Sequence, residues 1–193
     1  MTIYLCRHGQ TTGDVEDRYG GDYDDHLTDE GKNQASNLAV ELLNKNIEIL
    51  FSSPRIRAQE TAKIISNKLN TEIITVEDFR ERNQYGILTG MVKAEAKEKY
   101  PDLVLALKDY KNQIDGAEGY ENFSERVNKA LLEVAKKNFG TVAIVIHGGP
   151  IKAILRKIKY SPDYKIKDCA WLKLTIEDKN ILIEELNGVE ATV

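Results

Sequence analysis

The sequence contains few of the residues that bind structural zinc. Its 193 residues include two cysteines and three histidines, and Cys6 and Cys169 lie in no CxxC motif or Cys/His cluster. Free cysteines are commonly buried, so both thiols are predicted to pack as small apolar side chains. The composition indicates neither a metal site nor any other cofactor.

Long apolar runs are also missing. The first nine residues, MTIYLCRHG, reach a charge at Arg7 and lack the apolar core of a secretion signal. No other run approaches the roughly 20 apolar residues that span a membrane as a helix. We therefore expect a cytoplasmic protein without a membrane partner.

The chain has no surplus of positive charge. Lysine and arginine total 27 against 31 aspartates and glutamates, which gives a net charge of -4. Binding to a phosphate backbone needs clustered Lys and Arg, so no nucleic-acid partner is predicted. Charge totals still allow a small basic pocket.

Repeats, low-complexity tracts and linkers are absent from the sequence. Hydrophobic residues make up 41% and charged residues 30%, a composition typical of a globular protein. We predict a single domain over residues 1–193. The oligomeric state stays open, because no heptad pattern or apolar patch can be read.

Strand-like apolar runs alternate with helical periodicity along the chain. Strands are predicted within residues 2–9, 47–54, 71–76, 141–147, 170–176 and 181–186, the last two joined as a hairpin by residues 178–180. Helices are predicted over residues 28–43, 56–69 and 120–138. This alternation predicts an α/β fold with a mainly parallel central sheet flanked by helices. Residues 86–119 are polar and weakly periodic, and are predicted to form a small cover segment.

Charged residues stand at the ends of three predicted strands. Arg7 and His8 end the first strand, Arg57 follows the second, and His147 ends the fourth. Ligands of such sheets bind beyond the carboxyl ends of the strands, so these side chains are expected to share one pocket. Arginine binds phosphate through two parallel hydrogen bonds, which makes the group suitable for a phosphate dianion. The glycines after each histidine are expected to let a ligand approach the backbone.

The same residues predict a covalent mechanism. Nearby cations lower the pKa of His8, so its imidazole stays neutral and nucleophilic near pH 7. His8 is predicted to attack phosphorus, and Glu81, in the loop after the third strand, to protonate the leaving group. A strand-end histidine by itself commonly only binds a backbone carbonyl. Several such residues at adjoining strand ends favour catalysis.

Four motifs resemble those of the histidine phosphatase superfamily, also called phosphoglycerate mutase-like. The segments CRHGQT (6–11), SSPRIRAQETA (52–62), RERNQYG (80–86) and VIHGG (145–149) occur in the family's order, and the resemblance covers nearly the whole chain. It implies a phosphohistidine at His8, a proton donor at Glu81 and no metal. It also implies phosphate contacts from Arg7, Arg57 and His147.

Further substrate contacts follow from the resemblance. Gln10, Thr11 and Asp14 match positions near the mouth of the family's pocket, although many members have Asn in place of Asp14. Arg82 follows the acid, as in the mutases, where this arginine contacts substrate. Gly148 follows the second histidine and completes the predicted set.

Two other features are predicted to lie outside the site. His26 stands in the acidic loop with Asp24 and Asp25, and since three adjacent residues rarely bind one ion, a solvated loop is expected. Trp171 lies in an alternating strand and is predicted to belong to the core.

The sequence therefore predicts a metal-independent phosphomonoester hydrolase that acts on a small phosphorylated metabolite. Two alternatives remain open: a phosphoglycerate mutase dependent on 2,3-bisphosphoglycerate, and a non-catalytic phosphate-binding regulatory module. Glu81 favours catalysis, because binding alone does not need it. A mutase would need cations for a second phosphate, and the predicted candidates near the cover segment are Arg82, Lys93, Lys97 and Lys99.

Overall fold

Among the residues that the structure describes, six strands form one sheet with helices on both faces. The computed structural model describes residues 1–158, 164–178 and 180–191. The strands are β1 (Thr2–Arg7), β2 (Ile49–Ser52), β3 (Ile73–Thr75), β4 (Thr141–Ile146), β5 (Tyr164–Glu177) and β6 (Asn180–Ala191). Their order in space is β3-β2-β4-β1-β5-β6, with β1 to β4 parallel and β5 and β6 antiparallel to their neighbours. The predicted α/β class with a mainly parallel sheet is confirmed.

The three helices predicted over residues 28–43, 56–69 and 120–138 are confirmed, and the described residues contain further helices. The helices are α1 (Thr12–Val15), α2 (Asp29–Leu42), α3 (Ile56–Leu69), α4 (Lys93–Lys99), α5 (Pro101–Ala106), α6 (Tyr120–Ala135) and α7 (Gly148–Lys157). The Thr28 side chain accepts a hydrogen bond from the Gly31 amide and begins α2, with acidic residues in the first turn where the helix dipole favours them. Asn70 ends α3 in the left-handed conformation.

Each face of the sheet packs against two helices. One face buries Leu5, Phe51 and Ile144 against α6 and α7, and the other buries Cys6 and Trp171 against α2 and α3. Because β1, β2 and β4 are covered on both sides, their sequences read as continuous apolar runs. Cys6 and Trp171 are buried as predicted, whereas Cys169 is half-buried.

The cover segment has a small core of its own. Between the end of β3 and α6 lie two 3-10 turns, Glu77–Phe79 and Gly86–Leu88, and the short helices α4 and α5. Leu88, Ala96 and Ile114 form the centre of this separate apolar cluster. Residues 86–119 therefore make up a packed unit beside the sheet.

The two antiparallel strands form the predicted hairpin. Glu177 pairs with Asn180, and Lys179 of the predicted connection lies outside the described residues. The pairing of β5 with β6 is irregular between Ile166 and Trp171, where Cys169 has a φ of 54°. Among the helices of the described ranges, none is both long and apolar enough to cross a membrane.

Candidate active site

The two strand-end histidines face each other beyond the sheet. β1 and β4 are parallel neighbours in register up to Arg7 and Ile146, so His8 and His147 follow at adjacent positions. Their ring centroids lie 5.0 Å apart. Both side chains are buried, at 5% and 0% exposure. The parallel sheet therefore brings together two histidines that are distant in sequence.

Arg57 lies between the two rings. It belongs to the first turn of α3, and its Nε lies 3.2 Å from His8 Nε2 and 3.2 Å from His147 Nδ1. A guanidinium N–H only donates, so each ring presents an unprotonated nitrogen to it.

A second hydrogen bond sets the tautomer of each ring. His8 Nδ1 donates to the Gly9 carbonyl at 2.8 Å, which leaves the lone pair on Nε2. His147 Nε2 donates to Ser53 Oγ at 2.7 Å, which leaves the lone pair on Nδ1. Burial first, and then the charge of Arg57, lower both histidine pKa values well below the ordinary range. Both rings are therefore neutral near pH 7, with a free lone pair at the arginine.

Asp25 holds the guanidinium of Arg57 in place. Arg57 Nη1 donates to Asp25 Oδ1 at 2.8 Å and to the Tyr23 carbonyl at 2.6 Å, while Nη2 donates to the Gly21 carbonyl at 2.9 Å. Both charged side chains are at least nine-tenths buried. The prediction of a solvated acidic loop is therefore wrong for Asp25, although it holds for His26, whose side chain is 67% exposed and bonds to Glu60. Within the described ranges, no three His, Cys, Asp or Glu residues are grouped as metal ligands.

A different acid, Asp168, orients Arg7. Arg7 Nη2 lies 3.0 Å from Asp168 Oδ1, and Nη1 donates to the Ile166 carbonyl at 2.6 Å. The irregular stretch of β5 supplies both partners, and its Cys169 amide also donates to the His8 carbonyl. Arg7 Nε is buried and has no acceptor among the residues that the structure describes.

Glu81 is a half-buried residue whose carboxyl group accepts from two backbone donors. Its Oε1 accepts from the Arg82 amide at 2.7 Å, and its Oε2 accepts from the Gly149 amide at 3.0 Å. Burial raises the pKa of Glu81, and the two amides oppose this effect. A carboxyl group with a raised pKa beside the histidines suits a proton donor.

The glycines after the histidines serve the packing of the protein. A Cβ on Gly9 would lie 2.4 Å from the Gly31 carbonyl oxygen of α2, and one on Gly149 would lie 2.1 Å from Glu81 Oε1. Only at Gly148 is the space open, with Arg7 Nε 3.9 Å away. Gly9 and Gly149 therefore have a packing reason of their own, and the close approach of a ligand to the backbone stays a prediction.

The remaining predicted contacts are divided between the cavity and the protein interior. Thr11 and Asp14 line the cavity and cap α1 through reciprocal hydrogen bonds, with Asp14 3.9 Å from Arg7. Gly148 also lines the cavity. Gln10 is not among the lining residues, and its Oε1 accepts from the Thr28 hydroxyl.

Arg82 lines the cavity and connects it to the cover segment. Its Nε donates to the Glu118 carbonyl at 2.9 Å, and its Nη1 donates to the Tyr110 carbonyl. Its Nη2 is buried without an acceptor in the described part of the chain. Arg82 thus connects the cavity wall to the backbone of the cover segment.

The site opens into a cavity of about 640 Å³ with a strong basic bias. Among the described residues, three acidic ones line it: Asp14, Asp25 and Glu81. Nine basic residues of the described ranges line it: Arg7, Arg18, Arg57, Arg82, Lys93, Lys108, Lys152, Arg156 and Lys165. Of the cover-segment lysines that the sequence suggested, Lys93 is among them but bonds to Asp17, while Lys97 and Lys99 are not. An acidic protein therefore encloses a cavity suited to anions.

Known proteins similar to this chain include several phosphatases. The model of the histidine phosphatase superfamily (branch 1) matches residues 3–188. Phosphoserine phosphatase 1 of Hydrogenobacter thermophilus is 33% identical over 157 residues, which cover 80% of this chain and 74% of the relative. The metal-independent phosphoserine phosphatase of Arabidopsis thaliana is 31% identical over 194 aligned positions, covering 97% and 81%. A mycobacterial glucosyl-3-phosphoglycerate phosphatase solved with VO3 shares the fold, with a TM-score of 0.84 at 23% identity over 97% and 98% of the two chains.

Proposed function

The chain belongs to the histidine phosphatase superfamily and is an enzyme of that family, and from this premise we propose that it hydrolyses a small phosphorylated metabolite through a phosphohistidine at His8. The observation that supports this most directly is the contact of Arg57 Nε with His8 Nε2 and His147 Nδ1. This contact supports a neutral His8 nucleophile beside a guanidinium group that can donate hydrogen bonds to phosphate oxygens. Because two similar proteins are named phosphoserine phosphatases, phosphoserine is the first substrate to test.

In the first step, the lone pair of His8 Nε2 attacks phosphorus while the bond to the ester oxygen breaks. Glu81 gives its proton to that oxygen, so the product leaves as a neutral alcohol. Arg7 and Arg57 hold the remaining oxygens, whose negative charge replaces the histidine nitrogens as acceptors for Arg57. His147 adds a contact to phosphate once its proton lies on Nδ1, with the Ser53 hydroxyl then donating to Nε2. The result is a phosphohistidine and an ionised Glu81.

In the second step, water attacks the phosphohistidine. Ionised Glu81 takes a proton from this water, the bond between phosphorus and His8 Nε2 breaks, and inorganic phosphate forms. Glu81 is protonated again at the end of the cycle. A raised pKa suits both roles, because the carboxyl must exchange its proton near neutral pH.

The test is hydrolysis of p-nitrophenyl phosphate combined with rapid-quench mass spectrometry. We expect an acid-labile, base-stable phosphate on His8, and its loss together with turnover in His8→Ala. The matched control is His26→Ala, which removes an exposed histidine that does not line the cavity. Undiminished turnover in His8→Ala would refute the mechanism, and absence of all turnover in the unaltered protein would favour a phosphate-binding module.

A mutase is the second candidate function, and the position of Arg82 in the cavity lining favours it. Arg82 lines the cavity, and its buried Nη2 has no acceptor among the described residues, so a second oxyanion is a partner that this guanidinium could take. To distinguish the two functions, 3-phosphoglycerate is supplied with a catalytic amount of 2,3-bisphosphoglycerate, and the formation of 2-phosphoglycerate and of free phosphate is followed. We expect phosphate release to dominate. Isomerisation that exceeds phosphate release by orders of magnitude would establish the mutase instead.

A further inference from the structure

Arg126 of helix α6 uses its whole guanidinium group inside the protein. Its Nε donates to Glu118 Oε1 at 2.7 Å and its Nη2 donates to Glu118 Oε2 at 2.8 Å, which makes a bidentate ion pair. Its Nη1 donates to the Asp78 and Arg80 carbonyls at 2.8 and 2.9 Å. Its Nη2 also donates to the Glu81 carbonyl at 3.1 Å. A guanidinium has five N–H groups, so every donor of Arg126 is engaged.

The three carbonyls belong to the loop that carries the predicted general acid. Residues 80–84 lie outside the helices and strands, so no regular ladder of hydrogen bonds holds their backbone. Backbone carbonyls of such a segment need other donors. Arg126 supplies donors at three positions within four residues, from a side chain that is 11% exposed. The path of the chain at Glu81 therefore depends on a side chain of α6.

Glu118 connects the same loop to the end of the cover segment. Its amide donates to the Asn83 carbonyl at 2.7 Å, and its carbonyl accepts from Arg82 Nε at 2.9 Å. Asn83 Nδ2 donates to the Gly116 carbonyl at 2.8 Å. The loop is thus held from two sides, by α6 through Arg126 and by the last residues of the cover segment.

The place of the Glu81 carboxyl group follows from that of its backbone. Its Oε1 accepts from the Arg82 amide in the same loop, whereas its Oε2 accepts from the Gly149 amide at the start of α7. The second contact joins two separate parts of the chain, and a shift of the loop by about 1 Å would break it. A general acid must also stay within hydrogen-bond reach of the leaving oxygen.

We propose that Arg126 is a positioning residue for the general acid: together with Glu118 it holds the loop of residues 78–83 so that the Glu81 carboxyl group reaches the start of α7 beside His147. The inference rests on the proposed phosphatase function and adds to it the part of the chain that places the acid. Lysine cannot take over this role, because an ammonium group has three donors and lacks the planar fork of arginine.

The experiment compares Arg126→Lys with the unaltered enzyme on two kinds of substrate. The variant keeps the positive charge and loses the fork of donors. For an alkyl phosphate kcat/KM should fall about 100-fold, as for a displacement of about 1 Å, and for p-nitrophenyl phosphate by less than about tenfold. The matched control is Lys129→Gln, an exposed lysine of the same helix, which should change neither value. Equal losses for the two substrates in Arg126→Lys would show a merely structural role and overturn the inference.

A double-mutant cycle tests whether Arg126 acts through Glu81. The acid is absent from Glu81→Gln, so adding Arg126→Lys to it should change the ratio of alkyl to aryl kcat/KM by less than about twofold. A fall in that ratio as large as the one in the unaltered enzyme would overturn the inference.

Glu118→Gln decides the outcome if Arg126→Lys does not fold. It leaves all donors of Arg126 in place but removes the carboxylate that orients them. The ratio of alkyl to aryl kcat/KM should then fall about tenfold, in keeping with the loss of one hydrogen bond between charged groups. An unchanged ratio in Glu118→Gln would overturn the inference.

Failure of the proposed function gives a different result. In that case the unaltered protein does not hydrolyse p-nitrophenyl phosphate, and a carbon NMR titration of Glu81 replaces the kinetics. Burial raises the pKa of Glu81, and in Arg126→Lys this pKa should fall toward the ordinary glutamate value as the carboxyl group moves toward solvent. Such a fall supports the positioning role by itself. A Glu81 pKa that Arg126→Lys leaves unchanged overturns it.

Discussion

Replacement of Gly149 by alanine should disable Glu81 without a change at Glu81 itself. The new Cβ would lie 2.1 Å from Glu81 Oε1, 2.9 Å from its Cδ and 3.0 Å from its Oε2. Ordinary contacts are about 3.5 Å, so the carboxyl group must move by more than about 1 Å. It then gives up its hydrogen bond from the Gly149 amide, which is 3.0 Å long in the native arrangement.

The expected loss concerns catalysis and leaves the fold intact. The Glu81 side chain can rotate away, and alanine favours a helix over glycine by about 1 kcal/mol, so the melting temperature should not fall substantially. A displacement of 1 Å can cost about 100-fold in rate, and a general acid contributes about 100- to 10,000-fold. We expect hydrolysis of alkyl phosphates to fall about 100-fold. Aryl phosphates should lose less than about tenfold, since their leaving groups need little protonation.

The assay is the ratio of kcat/KM for an alkyl phosphate to that for p-nitrophenyl phosphate. Glu81→Gln should lower this ratio in the same way as Gly149→Ala. Gly148→Ala is the matched control, because its Cβ meets nothing closer than Arg7 Nε at 3.9 Å, and its ratio should equal that of the unaltered enzyme. Equal losses for both substrate types in Gly149→Ala, or no loss at all, would refute the assignment of Glu81 as the acid.

Three further predictions concern the charges of the site. Asp25→Ala breaks a buried pair with Arg57 and should lower the free energy of unfolding in urea by about 3 to 5 kcal/mol. The control Glu133→Gln, which breaks an exposed pair, should have no measurable effect on this free energy. Equal stabilities of the two variants would contradict the role of Asp25. Hydrolysis of alkyl phosphates needs neutral His8 and protonated Glu81, so kcat/KM should fall as the pH rises through the raised Glu81 pKa. Glu81→Gln should lack this fall at alkaline pH. If the fall persists in the variant, another group causes it. Activity should survive dialysis against EDTA, and a loss that magnesium or manganese restores would show that a metal takes part.

Much of the fold could be predicted from periodicity alone. The strand β4 reads as an apolar run because both its faces are buried, and α3 reads as a helix because its apolar residues recur on one side. Parallel strands end at the same edge of a sheet, so the placement of His8 and His147 after β1 and β4 also predicted that they would meet. Arg57 was predicted to join the two histidines because it stands at the start of the helix that follows β2.

The partners of these residues are decided by the tertiary structure. Asp25 is one acid of an acidic loop and Asp168 lies in an irregular part of β5, and nothing local distinguishes either one from the other acids of the chain. The sequence likewise did not show that Gly149 lies against the carboxyl group of Glu81. Hydrophobic periodicity determines which side of a helix or strand is buried, because burial depends on the alternation of residues along that element. Which charged groups meet depends on how loops far apart in sequence pack against the sheet, and each such contact exists only once the whole chain has folded.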